Sequence, residues 1–245
     1  MKSAIILAAG KGERLRPYTI NVPKVLTEVN GTPILGNTLN NLGCAGVKKV
    51  AIVVGYLKEK IVEYCESQEW SVEIEFIVSD KYAVTNNMYS LWLAESYLVK
   101  GCILIEGDVF FEADIVTQIA KNNNKNSYWV VDIFGHSMNG CMLTAQDNGR
   151  IVSLEIVREN LNVIKANQFK SVGILDLSAE YGSCFLQWVQ TAIKQKKTDV
   201  YYDLVLREHL HEMPIYTKNI AGMKWFEIDD IEDLHKAEEI FKEND

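Results

Sequence analysis

Short apolar runs alternate with amphipathic stretches through the first half of the chain. The run Ala4-Ile5-Ile6-Leu7 contains no polar side chain, which is typical of a strand buried on both faces. Strands that alternate with helices predict right-handed crossovers and a mostly parallel sheet. The predicted strands are 4–7, 48–54, 73–78 and 101–106, and the predicted helices lie near 33–45, 57–67, 87–98 and 112–122.

The second half of the chain is less regular and predicts more strand than helix. Its predicted strands are 128–133, 140–145, 151–155, 170–177 and 225–228, and its predicted helices lie near 178–195 and 231–242. The polar stretch 122–126 is predicted to be a solvated loop, and no linker or repeat divides the chain. We therefore predict one domain over residues 1–245, of the α/β class, with a Rossmann-like, mostly parallel mixed sheet flanked by helices.

The composition and charge of the chain argue against several classes of binding partner and against a membrane location. The net charge of −8 argues against nucleic acid and against an anionic membrane surface. No stretch reaches about 18 consecutive apolar residues, so we expect no transmembrane helix, and the short apolar segment at the start is unlike a signal peptide. The five cysteines are odd in number and widely spaced, which predicts buried thiols without disulfides or a zinc site. We expect a cytoplasmic location.

A loop with two glycines follows the first predicted strand. Gly10 and Gly12 let backbone N–H groups turn toward an anion, and Arg14 and Lys24 supply two cations nearby. The loop is not a dinucleotide fingerprint, because Leu15 stands where that motif needs its third glycine. It is not a P-loop either, because Gly12 follows the lysine where that motif needs serine or threonine. The residues predict a cradle for a triphosphate.

Two aspartates follow predicted strands at the edge where ligands bind in open parallel sheets. Asp108 comes just after strand 101–106, and Asp229 lies at the end of strand 225–228. Carboxylates in such places are ligands for a hard cation such as Mg²⁺. They are equally typical of turns and helix N-caps, a role for which Asp230 is the stronger candidate.

Residues 7–26 read Leu-Ala-Ala-Gly-x-Gly-x-Arg-Leu-x-Pro-x-Thr-x-x-x-Pro-Lys-x-Leu. This pattern resembles the signature of the nucleoside-diphosphate-sugar pyrophosphorylase superfamily, whose enzymes transfer NMP from an NTP onto a phosphate. The resemblance implies that Arg14 binds the β- and γ-phosphates, that Lys24 lies beside the α-phosphorus and the acceptor phosphate, and that Asp108 and Asp229 hold Mg²⁺. The nucleotide-binding positions that it implies in the loop are Leu7, Ala8, Ala9, Gly10, Lys11 and Gly12.

A second segment resembles one branch of that superfamily. Residues 81–91 read Lys-Tyr-x-x-x-Asn-Asn-x-Tyr-Ser-Leu, similar to the phosphocholine cytidylyltransferases. The resemblance implies that Asn87 and Ser90 lie near the base, the ribose or the acceptor, and we assign them to nucleotide binding. Thr85 and Asn86 are candidate N-caps for the helix that follows.

The acceptor is expected to contact the second half of the chain. Residues 199–203, Asp-Val-Tyr-Tyr-Asp, resemble the segment with which the phosphocholine branch approaches a quaternary ammonium group, which implies roles for Tyr201 and Asp203. An aromatic face and a carboxylate both attract such a cation, although helical spacing would also suit Tyr201 as a core residue. The acceptor-side lysine of the family corresponds to Lys165 or Lys170, and Lys170 fits better because it enters strand 170–177.

The resemblance implies a Mg²⁺-dependent cytidylyltransferase. It would transfer CMP from CTP to a small acceptor, either phosphocholine-like or an aminoethyl- or hydroxyethylphosphonate, and release pyrophosphate. The alternatives are a sugar-1-phosphate nucleotidyltransferase that uses UTP, dTTP or CTP, and a catalytically inactive, nucleotide-binding regulator. We expect residues 1–125 to form the nucleotide-binding half and residues 126–245 the acceptor-binding half. Whether the protein is a monomer or a homodimer stays open.

Overall fold

A nine-stranded mixed sheet lies at the centre of the computed structural model, which describes residues 2–121, 126–136, 138–159, 161 and 163–242. In chain order the strands are β1 Ser3–Ala8, β2 Glu28–Val29, β3 Thr32–Pro33, β4 Lys49–Val54, β5 Glu73–Val78, β6 Cys102–Glu106, β7 Val109–Phe111, β8 Ser127–Ile133, β9 Gly140–Ala145, β10 Ile151–Val157, β11 Gln168–Leu177, β12 Ile215–Asn219 and β13 Trp225–Glu227. The helices are α1 Ile34–Cys44, α2 Lys58–Glu66, α3 Asn87–Leu93, α4 Glu95–Leu98, α5 Ala113–Ala120, α6 Ala179–Lys194, α7 Tyr202–His209 and α8 Ile231–Ile240.

The first half of the chain supplies a parallel set of four strands. β1 lies between β4 and β6, and β4 also pairs with β5, all in parallel. β11 runs antiparallel to β6 and extends the sheet into the second half through β8 and β9. β10 and β12 complete the sheet by pairing with β9 and β8. The predicted α/β class and mixed, largely parallel sheet are confirmed.

Alternation along the central strands divides the apolar side chains between two cores, one on each face of the sheet. Ile5 and Leu104 belong to the core that is covered by α3, α4, α6 and α7. Ile6 and Ile105, their chain neighbours, belong to the core that is covered by α1, α2 and α5. Helices therefore flank both faces of the sheet. In the part of the chain that the structure describes, no helix combines the length and the apolar character needed to cross a membrane.

The helix predicted over residues 87–98 is two helices. Ala94 has φ −92° and ψ 25°, which ends α3 before α4 begins at Glu95. Met88 and Leu91 of α3 and Leu98 of α4 are buried in the same core. The apolar spacing therefore continues across the break, and periodicity alone does not reveal it.

Five elements were not predicted from the pattern of apolar residues: the two-residue strands β2 and β3, and also β7, β12 and α7. β7 has three residues and pairs with β13 in a two-stranded ribbon outside the main sheet, so only a tertiary contact defines it. β12 is half exposed, and it joins the sheet beside β8. The predicted loop at 122–126 lies outside the described residues except for Asn126, which is exposed.

The prediction of five buried thiols is wrong for one cysteine. Cys44 is exposed, because it is the last residue of α1 and faces away from the core. Cys65 and Cys102 are buried, and Cys141 and Cys184 are partly buried. All five are free thiols, as expected.

The close packing of α6 against the end of α4 gives a stability prediction. A Cβ at Gly182 would overlap the backbone carbonyl oxygen of Leu98. Alanine favours a helix interior over glycine by about 1 kcal/mol, yet we expect Gly182→Ala to lower the free energy of unfolding by about 1–3 kcal/mol, because the backbone of α4 must move. Urea unfolding measures this change. Gln187→Ala, at an exposed position of the same helix, is the control, and equal midpoints for the two variants would contradict the packing argument.

Candidate active site

A cleft of about 690 Å³ opens at the carboxyl ends of the central parallel strands. β1 and β6 are neighbours, with Leu7 opposite Glu106, so the loops that follow them meet at this edge. Residues from both halves of the chain line the cleft. The predicted site residues among them are Leu7, Ala9, Gly10, Arg14, Asn87, Ser90, Asp108, Lys170, Tyr201, Asp203 and Asp229. Ala8, Lys11, Gly12 and Lys24 lie next to these residues without lining the cleft wall.

Glycine suits the two positions of the first loop, 10 and 12, for different structural reasons. Gly12 has φ +61°, and a Cβ there would lie 2.8 Å from the Cβ of Lys24, so glycine lets the loop pass close to that lysine. A Cβ at Gly10, in contrast, would meet no protein atom within 4 Å. Packing within the protein therefore does not require glycine at position 10. The small residue leaves open space on the cleft side, where a ligand has access to the backbone.

Two buried contacts fix the shape of this loop. The hydroxyl of Thr19, which is fully buried, donates a hydrogen bond of 2.7 Å to the carbonyl of Gly12. The backbone N–H of Tyr56 donates to the carbonyl of Ala9 at 3.1 Å. The Tyr56 hydroxyl donates to the carbonyls of Thr19 and Ile20 at 3.1 and 2.9 Å. The loop is thus held at Ala9 by the backbone of Tyr56 and at Gly12 by the side chain of Thr19.

Lys24 joins the two predicted metal ligands. Its Nζ donates to Asp108 Oδ2 at 2.8 Å and to Asp229 Oδ1 at 2.9 Å. Arg14 Nη2 lies 2.7 Å from the same oxygen of Asp229. Burial disfavours the charged form of Asp229, but the cations of Lys24 and Arg14 outweigh it and lower the pKa of this carboxyl. Burial likewise opposes the charge on Lys24, and the two aspartates raise its pKa above the ordinary value.

The carboxylates around Asp108 suit a hard divalent cation. Asp108 Oδ1 is buried and has no hydrogen-bond partner, a costly state for a carboxylate oxygen unless a cation reaches it. Glu106, Asp108 and Glu227 also each place an oxygen within 4.8 Å of the others. Oxygen ligands of this kind are those that Mg²⁺ prefers. Asp229 reaches the same region through the ammonium of Lys24, which already places one positive charge between the two aspartates.

Residues from the second half of the chain line the same cleft. Burial raises the pKa of the Asp203 carboxyl, although the backbone N–H of Leu204 donates to it at 2.8 Å. Tyr201 is 52% exposed, so its ring is available to a ligand and is not the core residue that helical spacing allowed. Asp203 and Tyr201 both lie at the start of α7. The structure therefore brings Tyr201 and Asp203 together in the lining of the cleft.

Asn87 and Ser90 line the cleft from α3. Asn86 is the N-cap of α3, and its side chain accepts a hydrogen bond from the Asn87 backbone at 2.8 Å. The Asn87 side-chain oxygen accepts from the backbone N–H of Tyr202 at 2.9 Å. Asn87 therefore ties the start of α3 to the start of α7. Ser90 is buried one turn further along α3 and lines the cleft.

Several residues of the cleft were not predicted from the sequence, among them Glu106 and Tyr202. Tyr202 is buried, and its hydroxyl hydrogen-bonds to Glu106. Burial and then the charges of Asp108, Glu227 and Asp203 raise the pKa of Glu106 well above its ordinary value. The signal for Glu106 in the sequence is a carboxylate at the end of an otherwise apolar strand, two positions before Asp108.

The open loop, the paired aspartates and the two cations beside them are an arrangement that suits the transfer of a nucleotidyl group. The nucleotidyl transferase family matches residues 3–155, and the chain belongs to that family. The match covers β1 to most of β10, which includes the first loop, Lys24 and Asp108.

Relatives of similar length extend this comparison to the whole chain. The choline-phosphate cytidylyltransferase of Streptococcus pneumoniae is 30% identical over 98% of this chain and 98% of that protein. The 2-aminoethylphosphonate cytidylyltransferase of Lancefieldella rimae is 27% identical over 95% of this chain and 90% of that protein. The solved structure of CTP:phosphocholine cytidylyltransferase from S. pneumoniae superimposes with a TM-score of 0.84 and 27% identity, over 99% of this chain and 100% of that one.

The buried contact between Thr19 and Gly12 gives a prediction for the loop. Thr19→Val keeps the shape of the side chain but removes one of the two donors to the Gly12 carbonyl, which then keeps only the backbone N–H of Leu15 at 3.1 Å. We expect the KM for the nucleoside triphosphate to rise about fivefold to tenfold, because a hydrogen bond of ordinary strength is lost where the loop must keep its shape. Thr191→Val, which removes an exposed hydroxyl that donates to Gln187 within α6, is the matched control. An unchanged KM in Thr19→Val would show that this contact does not shape the loop.

Proposed function

We propose that the protein is a Mg²⁺-dependent cytidylyltransferase that transfers CMP from CTP to a small phosphorylated or phosphonate acceptor and releases pyrophosphate. The observation that carries the proposal is the contact of Lys24 with Asp108 and Asp229, between the first loop and the acceptor end of the cleft. Relatives that match nearly the whole chain are cytidylyltransferases for choline phosphate and 2-aminoethylphosphonate.

In this proposal the nucleotide binds at the first loop. Backbone N–H groups of residues 7–12 face the triphosphate, and Arg14 binds its β- and γ-phosphates. Asn87 and Ser90 lie near the base and ribose. The open space beside Gly10 supports this assignment, because a phosphate can approach the backbone there. The division into a nucleotide half, residues 1–125, and an acceptor half, residues 126–245, belongs to the same proposal.

The chemistry needs no protein nucleophile. The acceptor phosphate or phosphonate is already an anion, so its oxygen can attack the α-phosphorus and displace pyrophosphate directly. Lys24 stabilises the charge that develops as the oxygen attacks, and its position is set in advance by the two aspartates. Asp108 and Asp229 would hold Mg²⁺, which when bound neutralises the triphosphate and the leaving pyrophosphate. Binding the two substrates in line supplies much of the remaining acceleration.

The acceptor end favours a compound with both an anionic and a cationic group. Lys170, which is 6% exposed, supplies a positive charge for the phosphate or phosphonate. Asp203 and the exposed ring of Tyr201 supply a carboxylate and an aromatic face for an amine. Phosphocholine-like compounds and aminoethylphosphonate carry both groups, and hydroxyethylphosphonate carries only the first. A cytoplasmic location is part of this proposal.

Pyrophosphate release from a panel of substrates tests the proposal. CTP, UTP and dTTP are each combined with phosphocholine, 2-aminoethylphosphonate, 2-hydroxyethylphosphonate and glucose-1-phosphate, with Mg²⁺ or with EDTA. We expect turnover with CTP and an acceptor that carries an amine, and its loss in EDTA. Turnover only with glucose-1-phosphate would replace the proposal with sugar-1-phosphate nucleotidyl transfer. Activity that persists in EDTA would refute the metal requirement.

Lys24→Ala tests the catalytic role of the bridging lysine. We expect kcat to fall about 100-fold or more, because a preorganised charge beside the reacting phosphate is lost. Circular dichroism checks that the variant is folded. Lys49→Ala, which breaks an exposed ion pair with Glu73, should keep the activity of the unaltered protein. A folded Lys24→Ala protein with unchanged kcat would remove Lys24 from the reaction.

A further inference from the structure

Among the residues that the structure describes, Lys170 and Asp176 are the buried charged side chains, and Lys170 is hydrogen-bonded to one carboxylate. Its Nζ donates to Glu227 Oε2 at 2.7 Å. Burial alone would lower the pKa of the Lys170 ammonium, but the charge and the hydrogen bond of Glu227 raise it. A buried ammonium that lost this partner would keep only carboxylates that make no hydrogen bond to it, such as Glu106. The charge at the acceptor end of the cleft therefore depends on Glu227.

The fold also leaves space for this ammonium group. Gly140, the first residue of β9, has φ +94°, and a Cβ there would lie 2.8 Å from Lys170 Nζ and 3.9 Å from Glu227 Oε2. A larger residue at position 140 would push the ammonium of Lys170 away from Glu227. Lys170 itself is on β11, opposite Met142 of β9. The ammonium thus lies in a defined place, with the backbone of Gly140 on one side and Glu227 on another.

Glu227 has a second possible role, because it belongs to the group of three carboxylates with Glu106 and Asp108. The hydrogen bonds separate the two roles. The ammonium of Lys24 contacts Asp108 and Asp229, whereas Glu227 contacts Lys170. Glu227 therefore faces the acceptor side of the cleft, although Asp229 is only two residues further along the chain.

We infer that Glu227 is a positioning residue for acceptor binding: it holds the Lys170 ammonium beside Gly140, oriented toward the anionic group of the acceptor. The inference rests on the proposed function for the identity of that group. It gives Glu227 a role that is separate from any metal. It also makes the affinity for the acceptor, and not the affinity for the nucleotide, the quantity that Glu227 controls.

Glu227→Gln tests the inference, because glutamine keeps the size and one oxygen but loses the charge. With the best acceptor of the panel, we expect the acceptor KM to rise about tenfold or more, since a charge-assisted hydrogen bond no longer fixes the ammonium. The KM for CTP and the Mg²⁺ concentration that gives half-maximal activity should not change. Glu73→Gln, which alters an exposed ion pair with Lys49, is the matched control. A shift in the Mg²⁺ requirement instead of the acceptor KM would make Glu227 a metal ligand and overturn the inference.

A double-mutant cycle with Lys170→Met shows whether Glu227 acts through the lysine. If it does, Glu227→Gln has no further effect on the acceptor KM once Lys170 is replaced. Independent, additive losses in the double variant would contradict the inference.

A third measurement does not require turnover. The rate at which an amine-reactive reagent labels Lys170, followed by mass spectrometry, reports how firmly the ammonium is held. We expect several-fold faster labelling in Glu227→Gln than in the unaltered protein, and equal rates would overturn the inference. If no acceptor in the panel is turned over, the proposed function fails, and the labelling rates still decide whether Glu227 holds Lys170.

Discussion

One ammonium group holds the active site together. Lys24 follows the first loop, Asp108 follows β6, and Asp229 follows β13, so three segments far apart in the sequence meet at its Nζ. Two carboxylates so close to a common point repel each other unless a cation lies between them. The ammonium of Lys24 is that cation, and it belongs to the protein itself. The three charged groups therefore hold one another in place.

The sheet makes this meeting possible. The parallel pairing of β1 with β6 aligns their carboxyl ends, which sets the first loop beside the segment that carries Asp108. Gly107 contributes, because a Cβ there would press against the carbonyl of Leu7. The cleft then extends across β11 to Lys170, which needs its own buried partner. The charged groups of this site lie in close contact with groups of opposite charge, because it would be costly to leave any of them buried alone.

The sequence was most informative where function constrains consecutive residues. The first loop, the strand before it and the capping of α8 by Asp230 follow from local patterns, and the structure contains a capping box between Asp230 and Asp233. That Asp108 and Asp229 approach the same lysine could be expected only from the resemblance to a family, because 120 residues of chain separate them.

What could not be predicted depends on tertiary contacts. α7 buries Tyr202, Val205 and Leu206 at helical spacing, but a helix of eight residues gives too short a pattern to distinguish from a loop. The roles of Glu106 and Glu227 depend on which cation lies within reach of each carboxylate. Strand alternation predicts the face of the strand on which a side chain lies, but it does not predict which charged group the side chain contacts there.

The ribbon of β7 and β13 has a consequence for how the two ends of the cleft relate. The backbone N–H of Ile228 donates to the carbonyl of Asp108 at 2.9 Å, so the ribbon is attached directly to the segment that carries this aspartate. On either side of Ile228, Glu227 contacts the acceptor-side lysine and Asp229 contacts Lys24. A displacement of this ribbon would alter both contacts together. The positions of Lys24 and Lys170 are in this sense coupled through three consecutive residues, 227–229.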